Sequence, residues 1–177
     1  MFGVQASLSQ ELLDHLRDDV ERHIEKNPTH KFLDHITITC EDALNEELSA
    51  KGYPPFEYAI IFRYIDGVKQ EIHVDGIDAG NLRRSSLNVI THGEKATFEW
   101  FIIPDQMVRE EKTDIKSFKF DHVPDERKKL LEAWPVPKVH CVKTNVPHRF
   151  IAHEPLNLVC LRFKNNPDFF RLKKVWT

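Results

Sequence analysis

The chain has 177 residues, 41% of them apolar and 30% charged, and a net charge of −3 with its ten histidines neutral. That balance fits one globular domain with a real core and argues against a broad basic surface for nucleic acid. No apolar run approaches the roughly 20 residues of a spanning helix, no basic-then-apolar leader opens the chain, and the three irregularly spaced cysteines (Cys40, Cys141, Cys160) read as reduced thiols of a cytoplasmic protein.

The first element is a helix over about residues 8–26. Leu12, Leu16, Val20 and Ile24 recur at steps of four against a charged opposite face, the pattern of a helix packed on the outside of a sheet. Ser7 followed by Gln10 suggests a capping box, and Asn27-Pro28 ends the element. From Phe56 the texture changes to short strands. "FEYAIIFRYIDGVKQEIHVDG" reads as a hairpin about Asp66-Gly67, and "RRSSLNVITHGEKATFEWFIIP" as another about His92-Gly93. "KVHCVKTNVPHRFIAHEPLNLVCLRF" reads as a third region of short strands, turning near Glu154-Pro155. Between them, residues 104–129 are dense in charge and lack periodicity. This stretch is expected to be an exposed insertion, either a lid or a plain solvated excursion, with a short helix near "DERKKLLEAW". Several short strands joined by turns point to a sandwich or barrel.

Register arithmetic then groups the polar residues. A two-residue turn at Asp66-Gly67 sets Ile60 opposite His73 and Tyr58 opposite Asp75, so Tyr58, Tyr64, His73 and Asp75 share one face. A turn about Pro155 sets His148 opposite Arg162. A cationic pair there is unfavourable unless the imidazole is neutral, as a metal ligand is, and the arginine faces an anion. Two histidines and one carboxylate on one side of a metal leave three positions open, the facial triad of non-haem Fe(II) oxygenases. His73, Asp75 and His148 supply it. His140 and His153 are rival third ligands, read as surface or supporting residues.

With those residues in view, "YIDGVKQEIHVDG" resembles the Y-x-x-G-x-x-Y-x-x-H-x-D run of the prolyl-hydroxylase-like branch of the Fe(II)/2-oxoglutarate-dependent dioxygenases. Tyr64, Gly67, His73 and Asp75 fit, and Gln70 stands where that branch carries an aromatic. "TNVPHRFIAHEPLNLVCLRF" is similar to the distal-histidine segment and its arginine strand. "RRSSLNVIT" resembles a strand shared with aspartyl/asparaginyl-hydroxylase-like members. The resemblance covers residues 56–163 and implies a mainly β domain with flanking helices: a double-stranded β-helix, jelly-roll and cupin-like, spanning residues 1–177.

It also implies Fe(II), 2-oxoglutarate and dioxygen as reactants, and hydroxylation of a C–H bond in a protein side chain or small molecule. Arg162 matches the residue that binds the distal carboxylate of 2-oxoglutarate, helped by Tyr58 or Tyr64. Asn88 is the best candidate on its strand to touch the cosubstrate, with Arg84 and Ser86 toward substrate, unless that face is merely solvated. Two other readings stand beside this one. The first is a cupin-like metal enzyme that uses no 2-oxoglutarate. The second is a non-catalytic jelly-roll module that binds a small acid through Arg162.

Overall fold

A computed structural model describes residues 1–78, 81–104, 117–120 and 123–176. The protein is mainly β, with two antiparallel sheets and three α-helices among the described residues. In chain order the elements are β1 (Gly3–Gln5), α1 (Gln10–Lys26), β2 (Phe32–Ile36), α2 (Glu41–Ala50), β3 (Phe56–Tyr64) and β4 (His73–Asp78). Then come β5 (Asn81–Leu82), β6 (Ser85–His92), β7 (Ala96–Ile102), β8 (Ser117–Lys119) and β9 (Lys129–Pro135). The chain closes with β10 (Val139–Lys143), β11 (His148–Ala152), β12 (Leu156–Phe163) and α3 (Phe169–Trp176). The first sheet runs β1-β10-β6-β12-β3-β2. The second runs β5-β4-β11-β7-β9, with β8 also paired to β4.

Helix α1 forms where the stripe of four predicts it. Leu12, Leu16 and Val20 are buried and Ile24 partly so, packed with α2, α3 and the outer face of the first sheet. Its N-cap is Ser9, not Ser7: the Ser9 hydroxyl accepts from the Leu12 N–H, satisfying one of the free donors of the first turn. Asp19 on the same helix is fully buried and accepts from the Thr39 N–H at 2.7 Å and hydroxyl at 3.0 Å. A carboxylate so placed pins α1 to the chain entering α2.

The three expected hairpins are not hairpins. β3 pairs with β12 and β2, whereas β4 pairs with β11, β5 and β8. β6 and β7 likewise lie in different sheets, and so do β11 and β12. Each turn is a corner that carries the chain across the sandwich. The registers that opposed Ile60 to His73, and His148 to Arg162, are therefore wrong. Tyr58 stands opposite Arg162, and His148 opposite His73 and Trp100. The physical reason lies in burial. Six consecutive residues of β6, Ser85 to Ile90, are buried, because helices cover one face of the first sheet and the second sheet covers the other. A central strand of this kind does not show the alternation of a half-wet hairpin.

The expected short helix near residue 125 is a three-residue 3-10 turn, Asp125–Arg127, followed by strand β9. Pairing with β7 on the sheet edge overrides the helical propensity of "KKLLEAW" there. Of the charged insertion, residues 105–116 and 121–122 lie outside the described residues, and so does the lid expectation. Of the described part, Ser117–Lys119 pair as β8, and Phe120 and Val123 bury against Ile72, Val74, Phe101 and Ile103.

The Gly93 corner shows how tightly the two sheets meet. Its φ of +80° is the left-handed region, and a Cβ there would sit 2.6 Å from the Pro155 carbonyl oxygen of the neighbouring corner. Gly93→Ala is expected to lower unfolding stability by about 2–3 kcal/mol in denaturant melts, from backbone strain plus the clash.

Candidate metal centre

β4 and β11 meet at their first residues, so His73 and His148 are direct partners across the ladder, with ring centroids 4.5 Å apart. Asp75 is two residues further along β4 and therefore on the same face as His73. The ligand atoms of all three residues lie within 4.8 Å of one another. Asp75 Oδ1 stands 3.4 Å from His73 Nε2 and 3.8 Å from His148 Nε2. Adjacent donors on a six-coordinate ion with bonds of about 2.1 Å are about 3 Å apart, so the three draw inward to close onto one ion. The group can hold a metal.

The ring tautomers suit this. His73 Nδ1 is 2.8 Å from the Glu71 carbonyl oxygen, and His148 Nδ1 is 2.8 Å from the Val146 carbonyl oxygen. A carbonyl can only accept, so each neutral ring carries its proton on Nδ1 and presents a lone pair on Nε2. Burial keeps His148 neutral, pushing it down to about 4, and the nearby His73 adds to the shift. Phe98 stacks on the His148 ring at 5.2 Å and fixes its plane.

Arg162 comes from the opposite sheet. Its Nη2 donates to Asp75 Oδ2 at 2.8 Å, which leaves Oδ1 for the histidine side. Burial works to raise the Asp75 carboxyl, but the Arg162 guanidinium, with help from the imidazoles, holds it well below the carboxylate range. The backbone anchors the same residue: Asp75 N–H donates to the Thr144 carbonyl, Arg83 N–H donates to the Asp75 carbonyl, and the Thr144 hydroxyl donates to the Arg83 carbonyl. Arg162 is 6% exposed, and its Nη1 is buried with no hydrogen-bond partner among the described residues. A buried guanidinium N–H without an acceptor is costly, so this nitrogen marks a place for an anion.

Two cavities meet here. The outer one, about 590 Å³, opens to solvent and is bounded by Tyr58, Phe62, His73, Asp75, Arg83 and Arg162 among others. The inner one, about 30 Å³, lies among Tyr64, Ser86, Asn88, His148, Cys160 and Arg162. That volume is about one water's share of liquid. Tyr58 thus borders the outer space, and Tyr64, Ser86 and Asn88 the inner one. The Tyr64 hydroxyl accepts from Gln70 at 2.7 Å, and Ser86 donates to Asn88 at 2.6 Å.

Arg84 lines neither cavity; it is exposed, and its neighbour Arg83 is the buried one. The parity assumed from the strand fails because Arg83 and Arg84 precede β6. Arg83 and His35 are cavity residues that sequence reasoning missed. His35 carried no signal, whereas the Arg-Arg pair showed that a cation was near without saying which. His140 is fully buried beside Asn88, its Nδ1 2.8 Å from the Pro137 carbonyl oxygen, and not on the surface. His153 is exposed and bonded to Thr97.

Two outcomes are expected. Calorimetric titration with Co(II) finds one site per chain, and His73→Ala, His148→Ala and Asp75→Asn each weaken it by at least about 100-fold, since each removes a direct ligand. Acid also destabilises the fold. Burial holds His140 at about 4, below the ordinary value of about 6.5 for an unfolded histidine. The unfolded chain therefore binds the extra proton between those values. Stability from this group is full above pH 6.5 and is lost as pH falls toward 4, by about 2–3 kcal/mol. Denaturant melts across that window check it, with His140→Gln showing the flatter dependence.

Compared with protein-family models and with curated proteins, the chain matches none, and the centre is read from its own geometry.

Proposed function

We propose that the protein is an Fe(II)- and 2-oxoglutarate-dependent oxygenase that hydroxylates a C–H bond. One observation carries the reading: two imidazoles and a carboxylate converge on one point, and the buried arginine that grips the carboxylate has an unpartnered nitrogen. A 2-His-1-carboxylate face with open positions suits non-haem Fe(II), and the spare guanidinium nitrogen suits the carboxylate of a keto acid. The topology supports the same reading. Strands β3, β4, β6 and β7 alternate between sheets, as do β10, β11 and β12, an order that a jelly roll, or double-stranded β-helix, requires.

Fe(II), when bound, supplies dioxygen activation, with 2-oxoglutarate as the co-reductant that leaves as succinate and carbon dioxide. The chain's own residues do the rest. His73 and His148 offer Nε2 because two backbone carbonyls hold their Nδ1 protons. Asp75 is kept ionised and held to one ligating oxygen by Arg162. Arg162 then presents Nη1 to a carboxylate of the cosubstrate. Phe62 borders both cavities, and Phe98 and Phe150 border the inner one, an apolar lining that disfavours bulk water on that side of the centre. The inner cavity is too small for a five-carbon diacid, and the outer one has room for it.

That small inner space also keeps a second reading in play, a metal enzyme of the same shape that uses no 2-oxoglutarate. One titration separates the two. Anaerobic protein loaded with Fe(II) is titrated with 2-oxoglutarate while its visible spectrum is followed. The oxygenase gives a weak charge-transfer band that is absent in His148→Ala and requires at least about 30-fold more 2-oxoglutarate in Arg162→Gln. No band from folded, iron-loaded protein removes 2-oxoglutarate and leaves the second reading.

A further inference from the structure

The outer cavity holds a second guanidinium that the metal and cosubstrate leave without a task. Arg83 is 4% exposed. Its Nη2 donates to the Tyr58 hydroxyl at 2.9 Å, and its Nη1 donates to the Phe163 carbonyl at 3.4 Å. The acid facing it is Glu57, 3.7 Å away with its side chain 47% exposed. The cavity wall carries four acids, Asp34, Glu57, Glu71 and Asp75, and four Lys or Arg cations, Lys69, Arg83, Lys119 and Arg162, so its formal charge balances. Asp75 serves Arg162 and two imidazoles, Glu71 pairs with Lys119, and a half-exposed Glu57 at 3.7 Å is a weak counter-ion for Arg83. A buried guanidinium so loosely paired favours a closer anion from solvent.

The two arginines flank one tyrosine. Tyr58 is the ladder partner of Arg162, and its hydroxyl touches Arg83. The Tyr58 ring is stacked against His35 at 4.1 Å and 14°. His35 takes a φ of +50° where the register of β2 shifts, between Leu33 and Ile36, which turns its ring over Tyr58. Tyr58 stands at the centre of the mouth. Beside it sit a carboxylate donor, Arg83, and an ammonium acceptor, Glu57, one loose ion-pair distance apart. An α-amino acid carries the complementary pair on a single carbon.

We infer that the mouth of the outer cavity is a subsite for a free α-amino acid, with its carboxylate on Arg83 and the Tyr58 hydroxyl and its ammonium on Glu57. This names the substrate class of the proposed oxygenase and rests on that reading. The amino acid's side chain then shares the remaining cavity with the cosubstrate, along a wall that includes His73 and Asp75.

The test is a binding measurement. Zn(II)-loaded protein is first titrated with N-oxalylglycine, an unreactive 2-oxoglutarate analogue. The twenty common amino acids then follow, each beside its methyl ester, read by calorimetry and thermal midpoint. One or a few free acids bind saturably, the matching esters bind at least about tenfold more weakly, and Arg83→Gln weakens the acid by about 10- to 100-fold. Because Arg83 is buried, Tyr58→Phe serves as a milder variant. It removes one hydroxyl and is expected to weaken the same acid several-fold, with zinc uptake as the folding control. No binding by any of the twenty, equal binding of acid and ester, or unchanged affinity in both variants overturns the subsite. If N-oxalylglycine fails to bind while an amino acid still does, the subsite stands and the oxygenase reading falls.

Discussion

Asp75 is a single carboxylate claimed from three sides, and the centre depends on it. Taking such a group out of water costs several kcal/mol unless its lone pairs are used. One oxygen is used by Arg162 and the other faces both imidazoles. Asp75 belongs to one sheet and Arg162 to the other, so their bond spans the sandwich. It sets the spacing of the two sheets at the end where the histidines start their strands. Removing either partner leaves an uncompensated charge in a closed space, which makes this a constraint on the fold as well as on the centre.

The rest of the interior explains why polar chemistry is confined to that end. Trp100, Phe98, Phe150, Leu158 and Ile90 fill the space between the sheets and leave little room for water. Where they stop, Tyr64, Gln70, Ser86 and Asn88 satisfy one another in pairs. Behind the first sheet a separate apolar layer under α1, α2 and α3 takes the other faces of β6 and β12. Neighbouring residues on these strands therefore serve different layers. Leu161 packs toward the helices and Arg162 reaches the centre.

Much of this was legible along the chain, because the signals were local. The stripe of α1, the strands β3, β4, β6, β7, β10, β11 and β12, and the two-residue spacing of His73 and Asp75 follow from side-chain period. Pairing did not follow. Asp66-Gly67 and His92-Gly93 report that the chain reverses, not which sheet the next strand joins. Tyr58 and Asp75 were placed on one face by a register that does not exist. They still border one cavity, because the inward faces of opposed sheets converge on the space between them. Arg83 and His35 escaped notice for a different reason. One precedes its strand and the other sits at a shift in register, where counting by twos no longer says which way a residue faces.

Cys160 sits on the inner cavity beside Arg162. A thiol so near a centre able to hold a redox metal would ordinarily be a liability, as a soft competing ligand and an easy target for oxidants. Both reactions need the thiolate. Burial pushes this thiol up to about 12, although Arg162 pulls it the other way. At neutral pH almost none of it is ionised. The packing that closes the inner cavity therefore also acts as corrosion protection, keeping sulfur inert on the cavity the imidazoles line.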